Sequence, residues 1–558
     1  MGVFDCLQIL GGGRVLKDLS EVKAKIKTTV ATNNNDLYKS HLYWSQKPYN
    51  ICDILIENFS EKGDIIFDPF MGSGVTLIQS ISKEYSRKAV GVEINEVPIF
   101  IIDVLLKKYN LRNTKALINK FLDKIEYLED YYKTVCNSCG EKGIITKSIF
   151  DREHFTSDLV IKEIHYNCNC SKKILRKDST EEDYSMMNGL EEYNQINNIS
   201  NLELLSNTRI AVYKGQKISD IFTRRNFFII DKVIEIINNF EEEDQELLNY
   251  IVLSSLHLSK ITDTHSNSQW PLWTPKINCV EKNIIPVINK RAKALILSLK
   301  YAQQNLCSNR NRTDDLINMN PGEFKIINKG IQFLSESDIP DNSIDLVITD
   351  PPYMGQVLYS EYMQLYKPFL KLDFNLDDEI VISTAPDRKK EETEYYKLLD
   401  EAFTKIGKKV KNNKYMCMYF HDSNLNVWKK IIDILEKAGF RYLSQVHVKK
   451  KNTLKNIISP KKSLNGDAVL FFIKEPYVKT EIREVESIEE IELNVIKHAK
   501  YIIKTYGPQS TPELYDDGLM EFIIHNGWLS ELSIKYKSLV EIFEKYLIWD
   551  ATKGKWMI

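Results

Sequence analysis

The sequence predicts an α/β fold built on an open, mostly parallel sheet, and three observations predict it. Short apolar runs at Asp64–Phe67, Lys88–Val92 and Ile344–Thr349 have the length and content of strands buried on both faces. Between the first two lies a glycine-bearing turn, Asp68-Pro69-Phe70-Met71-Gly72-Ser73-Gly74, and then a helical stretch, Val75–Ser80. Glu93 closes the second strand, which completes a βαβ unit. The third run ends on Asp350-Pro351-Pro352-Tyr353, where two prolines force the backbone out of the sheet. Open α/β sheets place their ligands at such carboxyl ends.

At 558 residues the chain is long enough for about three or four structural units. A hydrophobic content of 43% and an aromatic content of 11% belong to a globular protein with real cores. The net charge of −2 excludes a global basic field, so any contact with nucleic acid must come from local patches. No apolar run is long enough to cross a bilayer, and Met1–Lys17 lacks the apolar stretch of a secretory signal, so the expectation is a cytoplasmic protein. Nine cysteines, several tightly clustered, fit metal binding better than a disulfide framework in that compartment.

Residues 1–37 are polar and lysine-rich and are expected to form an N-terminal arm. Gly11-Gly12-Gly13 lacks the Lys-Ser/Thr of a phosphate loop and is assigned no function. Residues 38–110 form the first organised unit. Gln46-Lys47-Pro48 precedes a helix over Ile51–Phe59, whose apolar positions recur at helical spacing. In the turn that follows, the glycines let a ligand approach the backbone, and Glu93 can accept from ribose hydroxyls. The third glycine of a dinucleotide fingerprint is missing, so an adenosine-type cofactor fits better. Asp350-Pro351-Pro352-Tyr353 offers a carboxylate, backbone carbonyls and an aromatic face, a set suited to a flat, amino-bearing ring.

Gln46-Lys47-Pro48, Asp68–Gly74 and Gly91–Asn95, followed much later by Asp350–Tyr353, resemble the motif set of S-adenosylmethionine-dependent DNA amino-methyltransferases of the adenine-N6/cytosine-N4 class. The resemblance covers roughly residues 41–110 and 325–475. It implies a Rossmann-like class I methyltransferase sheet. It also implies cofactor contacts from Gln46, Lys47, Pro48, Asp68, Pro69, Phe70, Gly72, Ser73, Gly74, Glu93 and Asn95. The catalytic residues it implies are Asp350, Pro351, Pro352 and Tyr353. With the cofactor motif ahead of D-P-P-Y, the long insert between them is expected to carry target recognition. The family generally has an acid near Ser335 for the cofactor's adenine, and which of Ser335-Glu336-Ser337-Asp338 serves is open.

The insert begins with residues 111–215. Cys136-x-x-Cys139 and Cys168-x-Cys170 form two close pairs, as in a four-thiolate structural zinc site. The second pair has one spacer residue rather than two, and His165 could replace one cysteine. A small unit without a long apolar stripe needs such a staple to fold. Residues 171–215 read as loop. Residues 216–322 are expected to be a helical recognition region, with helices over Phe227–Phe240, Gln245–Leu258 and Val287–Gln303. Arg224-Arg225 either clamps phosphates or is a solvated helix start. His257, His265, Trp270 and Trp273, around Thr262–Lys276, read as core.

Residues 323–478 return to the catalytic sheet. Further strands are expected at Phe324–Ile327, Tyr415–Phe420, Tyr442–Val448 and Ala468–Ile473, and a helix at Trp428–Ala438 is closed by Gly439. Lys405–Lys414 reads as a solvated face, whereas Lys449–Lys462, with six lysines and no acid, is a credible phosphate contact. Residues 479–558 read as a separate small helical domain. The resemblance as a whole implies methyl transfer to the exocyclic N6 of adenine in duplex DNA, within restriction–modification or other host or phage defence and with a restriction endonuclease as possible partner. Left open are cytosine N4, RNA guanine N2, and an inactive zinc-containing DNA-binding protein.

Overall fold

A computed structural model describes residues 17–189, 201–264, 271–386, 388–449, 461, 464, 466–476 and 487–558, apart from the side chain of Asp517. Its strands in chain order are β1 (Ile65–Asp68), β2 (Lys88–Glu93), β3 (Lys133–Val135), β4 (Lys142–Asp151), β5 (Val160–Asn167), β6 (Leu175–Lys177), β7 (Thr262–Asp263), β8 (Cys279–Lys282), β9 (Phe324–Asn328), β10 (Ile344–Thr349), β11 (Val410–Phe420), β12 (Phe440–Val448), β13 (Asp467–Lys474), β14 (Ile548–Asp550) and β15 (Lys555–Met557).

Seven of these form the predicted sheet, in the order β12-β13-β11-β10-β1-β2-β9. The pairs β9/β2, β2/β1, β1/β10 and β10/β11 are parallel, and the β11/β13/β12 edge is antiparallel. Side chains leave a strand alternately on its two faces. Ile66, Leu346 and Ile348 therefore join one core, with the helices Tyr49–Phe59, Val75–Ser80 and Glu96–Leu106. Phe67, Val347, Met416 and Met418 join the other, with the helices Glu392–Lys409 and Leu425–Lys437. All six residues of β10 are buried, as its unbroken apolar run requires. From β1 the chain crosses to β2 on one side, and β10 flanks β1 on the other. The order of strands thus reverses between β1 and β10, where a crevice opens.

The insert leaves the sheet after β2 and returns at β9. It folds into one lobe in which strands and helices are mixed. The second sheet runs β6-β5-β4-β8-β7, with β3 on the edge of β4. Since β7 and β8 come from the region expected to be helical around an irregular stretch at Thr262–Lys276, ribbon and helical region share one core rather than forming two units. The stretch expected to be loop holds β6 and a capped helix, Glu181–Asn188.

Both ends depart from expectation in the same way. Part of the arm is a helix, Ser20–Thr28, whose Val22 and Ile26 are fully buried. Lys23 Nζ donates to Ser444 Oγ on β12 (2.7 Å) and pairs with Glu521 (2.9 Å). The C-terminal helices are not a separate domain. Ile491, Val495, Leu519 and Phe543 belong to the same apolar cluster as Trp428 and Phe472. Asp516 meets His447 of β12 at 2.7 Å, and Tyr515 Oη donates to the Ser423 carbonyl at 2.6 Å. The physical reason is that β12 is an edge strand whose apolar side chains need a cover.

Candidate active site

At the carboxyl ends of β1, β2, β9 and β10 lies a cleft lined by both motifs. From the upstream half come Gln46, Lys47, Pro69, Phe70, Gly72, Ser73, Glu93 and Asn95. From the downstream half come Asp350, Pro351, Pro352 and Tyr353. Asp68, Pro48 and Gly74 stand behind the wall. Asp68 is almost wholly buried, 3.4 Å from Lys47 Nζ, and its Oδ1 accepts from the Phe70 N–H at 3.3 Å. Burial works against the Lys47 ammonium, but Asp68 and Asp350 outweigh it and hold its pKa above the ordinary lysine value. Pro48 caps the helix Tyr49–Phe59, and Gly74 caps Val75–Ser80.

The glycine turn is shaped by backbone that other residues resist. Gly72 and Gly74 have φ of +50° and +73°. A Cβ on Gly74 would also lie 2.5 Å from Ile102 Cδ1. Gly74→Ala is therefore expected to cost about 2–4 kcal/mol, left-handed strain and overpacking together. A lowered midpoint in thermal or urea unfolding is the check.

Glu93 anchors this turn from the neighbouring strand. Its carboxylate accepts from the Gly72 N–H and the Asn95 N–H, both at 3.0 Å. Burial pushes its pKa up to about 7, against the pull of those N–H groups. Asn95 is 1% exposed, and its Oδ1 takes bonds from Ser360 Oγ (3.2 Å) and the Asn375 N–H (3.1 Å). Its amide thus ties the helix Tyr359–Tyr362 and the loop at Asn375 to the wall of the cleft.

On the opposite wall, Tyr353 Oη lies 2.5 Å from Asp350 Oδ1 and 2.7 Å from the Tyr419 carbonyl. With one proton to give, it fixes the carboxylate beside it. Burial first, and then Asp350, raises the phenol's pKa well above its ordinary value. The ring meets Phe420 edge-on, centroids 6.1 Å apart. Tyr395 Oη donates to the Pro352 carbonyl at 2.7 Å, which pins the turn.

The cleft also takes residues to which sequence reasoning assigns no role. Tyr43 stacks on Tyr359 at 5.8 Å and 17°. Asp378, Glu379, Lys329 and Gln332 complete the polar lining. Glu379 and Glu361 are both buried and both paired with Arg388. Of the Ser335–Asp338 stretch, Asp338 accepts from Lys329 Nζ (2.8 Å) and Ser335 Oγ (2.6 Å), which hold its pKa down to about 2 against its partial burial. None of these four residues lines the cleft.

In the insert, the metal-binding atoms of Cys136, Cys139, Cys168 and Cys170 lie within 4.8 Å of one another. The Sγ–Sγ distances are 3.7 Å for Cys136–Cys170 and 3.6 Å for Cys139–Cys168. Thiolates about 2.3 Å from a tetrahedral zinc stand about 3.8 Å apart, so the donor set fits that ion. His165 is outside the cluster and bonds to Glu163 at 2.8 Å. The one-residue spacing of the second pair is accommodated because Cys168 follows the end of β5 and Cys170 lies in the turn beyond it.

One other expectation is corrected. Arg225 is buried against Glu281, its guanidinium 4.6 Å from the Tyr132 ring centre, and cannot clamp phosphate. In the basic run Lys405–Lys414, Lys411 and Lys414 are partly exposed and pair with Asp345, and Lys409 pairs with Asp341. His257 is core, as expected. Gly11-Gly12-Gly13, His265, Trp270 and most of Lys449–Lys462 lie outside the described residues.

Residues 17–102 match a family model described as DNA methylase, of N6/N4 type. The type II methyltransferase M.MjaII of Methanocaldococcus jannaschii is 24% identical over 420 residues, covering 69% of this chain and 72% of that protein. The type II methyltransferase M.HindIII of Haemophilus influenzae is 32% identical over 76 residues, 14% of this chain and 23% of that protein. A solved Thermus thermophilus protein, described as a candidate DNA modification methylase, has 12% identity, covers 30% of this chain and 61% of that one, and has a TM-score of 0.15, which carries no argument.

Proposed function

We propose, from the premise that this chain carries an N6/N4-type DNA methyltransferase domain, that it is a site-specific DNA methyltransferase acting on the exocyclic N6 of adenine. The methyl donor is S-adenosylmethionine and the acceptor is a base turned out of the duplex, since the amino group is out of reach inside the stack. The observation that carries this reading is the meeting of the glycine turn and Asp350–Tyr353 in one cleft. The choice of adenine rests on the aspartate at the head of D-P-P-Y.

S-adenosylmethionine, when bound, supplies a methyl group on a positively charged sulfur. The cleft's own residues do the rest. Asp350, Asp378 and Glu379 put carboxylates around a cation, and Glu93 accepts ribose hydroxyls. Asp350 and the Pro351 carbonyl accept the hydrogens of the target amine and aim its lone pair into the cleft. As the N–C bond forms and the S–C bond breaks, Asp350 or water takes the departing proton. Tyr353 fixes Asp350 with its hydroxyl and offers its face to the base. The four cysteines hold a structural zinc that stabilises the target-reading lobe. The wider setting is restriction–modification or other host or phage defence, with an endonuclease reading the same site.

Tritium transfer from labelled donor to duplex DNA, followed by nucleoside chromatography, tests the reading. N6-methyldeoxyadenosine is expected. N4-methyldeoxycytidine would move the target to cytosine, label in transfer RNA alone would favour a guanine-N2 enzyme, and no label would mean an inactive fold. Methylation-sensitive sequencing then reads the site.

Glu93 also predicts a pH dependence. Its raised pKa means that the folded protein holds a proton between the ordinary glutamate range and about pH 7, so this group's contribution to stability falls as pH rises through that window. Hydroxyl donors prefer the carboxylate, so affinity for S-adenosylhomocysteine should rise severalfold between about pH 6 and 8. Calorimetry should show this rise in the native protein and a flat profile in Glu93→Gln.

A further inference from the structure

Beside the cleft, the insert and the catalytic domain enclose a second cavity of about 360 Å³. The insert lends it Leu205 and Ser206, and the catalytic domain lends it Arg388, Lys389 and Lys390. The insert's segment is pinned where the two meet. Asn207 Nδ2 donates to the buried Glu361 at 2.8 Å, and its Oδ1 accepts the Arg209 N–H at 3.0 Å, which caps the turn Thr208–Ile210. The Leu205 N–H donates to Gln364 Oε1 at 2.7 Å. Arg209 is thereby fixed at its backbone while the residue stays exposed. Its guanidinium lies against the loop that follows the catalytic turn. A Cβ on Gly355 would collide with both Arg209 Nη1 and the Ile382 carbonyl oxygen. That glycine stands two residues beyond Tyr353 and next to Gln356, which lines the cleft.

The donors gathered here are spare. Neither the Arg209 guanidinium nor the exposed Lys389 ammonium has an acceptor among the described residues. The Arg388 side chain is 6% exposed and gives its two Nη groups to Glu361 and Glu379, which neutralise each other's surroundings through it. Its Nε is buried and has no partner among the described residues, a costly state unless an acceptor arrives. The set calls for an anion with several acceptor oxygens, and an arginine fork matches phosphate. A base set against Tyr353 leaves its sugar and phosphate at the rim of the cleft, which the loop at Gly355 forms on this side. With a net charge of −2, the chain must hold a nucleic acid by local cations of this kind. We propose that Arg209 holds the phosphate next to the turned-out nucleotide, and that Lys389 and Arg388 Nε in the adjoining cavity hold the next phosphate along the same strand. This rests on the DNA-methyltransferase reading above. Such contacts carry no base identity; they fix the strand so that the target stands over Asp350.

The test uses the full chain and duplexes that carry its methylation site, in which one phosphate at a time around the target base is replaced by an uncharged methylphosphonate. Binding is measured with S-adenosylhomocysteine present. For the native protein, one position beside the target should cost at least about tenfold in affinity, as loss of a charged hydrogen-bonded partner does. Arg209→Gln should bind the unmodified duplex about that much more weakly and pay nothing further at that position. Its slope of log affinity against log salt should be shallower by about one. Lys389→Gln should show the same loss at the neighbouring phosphate, and Arg209→Lys should recover part of the native penalty. Affinity for S-adenosylhomocysteine alone should be unchanged in all three variants. A merely structural role would weaken DNA binding in Arg209→Gln but leave its full penalty for the methylphosphonate, and that result overturns the proposal. So does a native protein indifferent to every single replacement. Native protein that methylates no DNA would instead overturn the reading on which the proposal rests.

Discussion

Asp350→Ala should lower methyl transfer to DNA by about a thousandfold while leaving affinity for S-adenosylhomocysteine within a few fold. That magnitude is what a placed group facing a reacting atom supplies in a site closed to water. Cofactor affinity survives because the glycine turn, Glu93 and the wall from Tyr43 to Lys47 belong to other elements. Asp350→Asn separates two contributions: it keeps one acceptor and loses the charge, and should fall between the native protein and alanine. Tyr353 gives a parallel pair. Tyr353→Phe keeps the face but releases Asp350 from its 2.5 Å partner, whereas Tyr353→Ala removes both. A larger loss for alanine than for phenylalanine is expected from single-turnover rates. Full methylation by Asp350→Ala would end the proposed mechanism.

Cys136→Ser should remove the metal and unfold the ribbon around it. One zinc per chain is expected in the native protein by elemental analysis and none in the variant. Structural zinc contributes on the order of 10 kcal/mol to small metal-stapled units, more than the four strands around the cysteines could replace. New proteolytic cleavage should appear between Lys133 and Lys177, where β3 to β6 meet the four cysteines. The catalytic sheet shares no strand with this lobe, so binding of S-adenosylhomocysteine should persist. Native protein free of zinc would remove the metal from the account.

What the sequence made legible was whatever local chemistry enforces. Two prolines must end β10, positive φ demands glycine at 72 and 74, and thiols in close pairs converge. The helix Val75–Ser80 and the alternation of Ile66 and Phe67 between two cores follow from patterns that need no partner. What it hid was decided by distant partners. Arg225 looks like a surface cation until Glu281, on the strand β8, is placed against it. Asn95 shows in the sequence only as a residue of the cleft, and its tie to Ser360 and Asn375 appears only when those distant segments are placed against it. The loop bearing Asp378 and Glu379 is polar and irregular, so nothing in its pattern marks it as a wall of the cleft. The C-terminal helices show amphipathic faces, but not that β12 is what those faces cover.

The lobe departs from β2 and rejoins at β9, two strands that lie side by side. The pair is parallel, so the chain leaves at the carboxyl end of β2 and returns at the amino end of β9, and the lobe occupies the crossover between two strands that stay paired. A module carried in such a crossover can be enlarged, trimmed or exchanged without respacing any strand of its host. On the function proposed above, sequence preference is then free to diverge in one compartment of the molecule while the methyl-transfer machinery stays constant in the other.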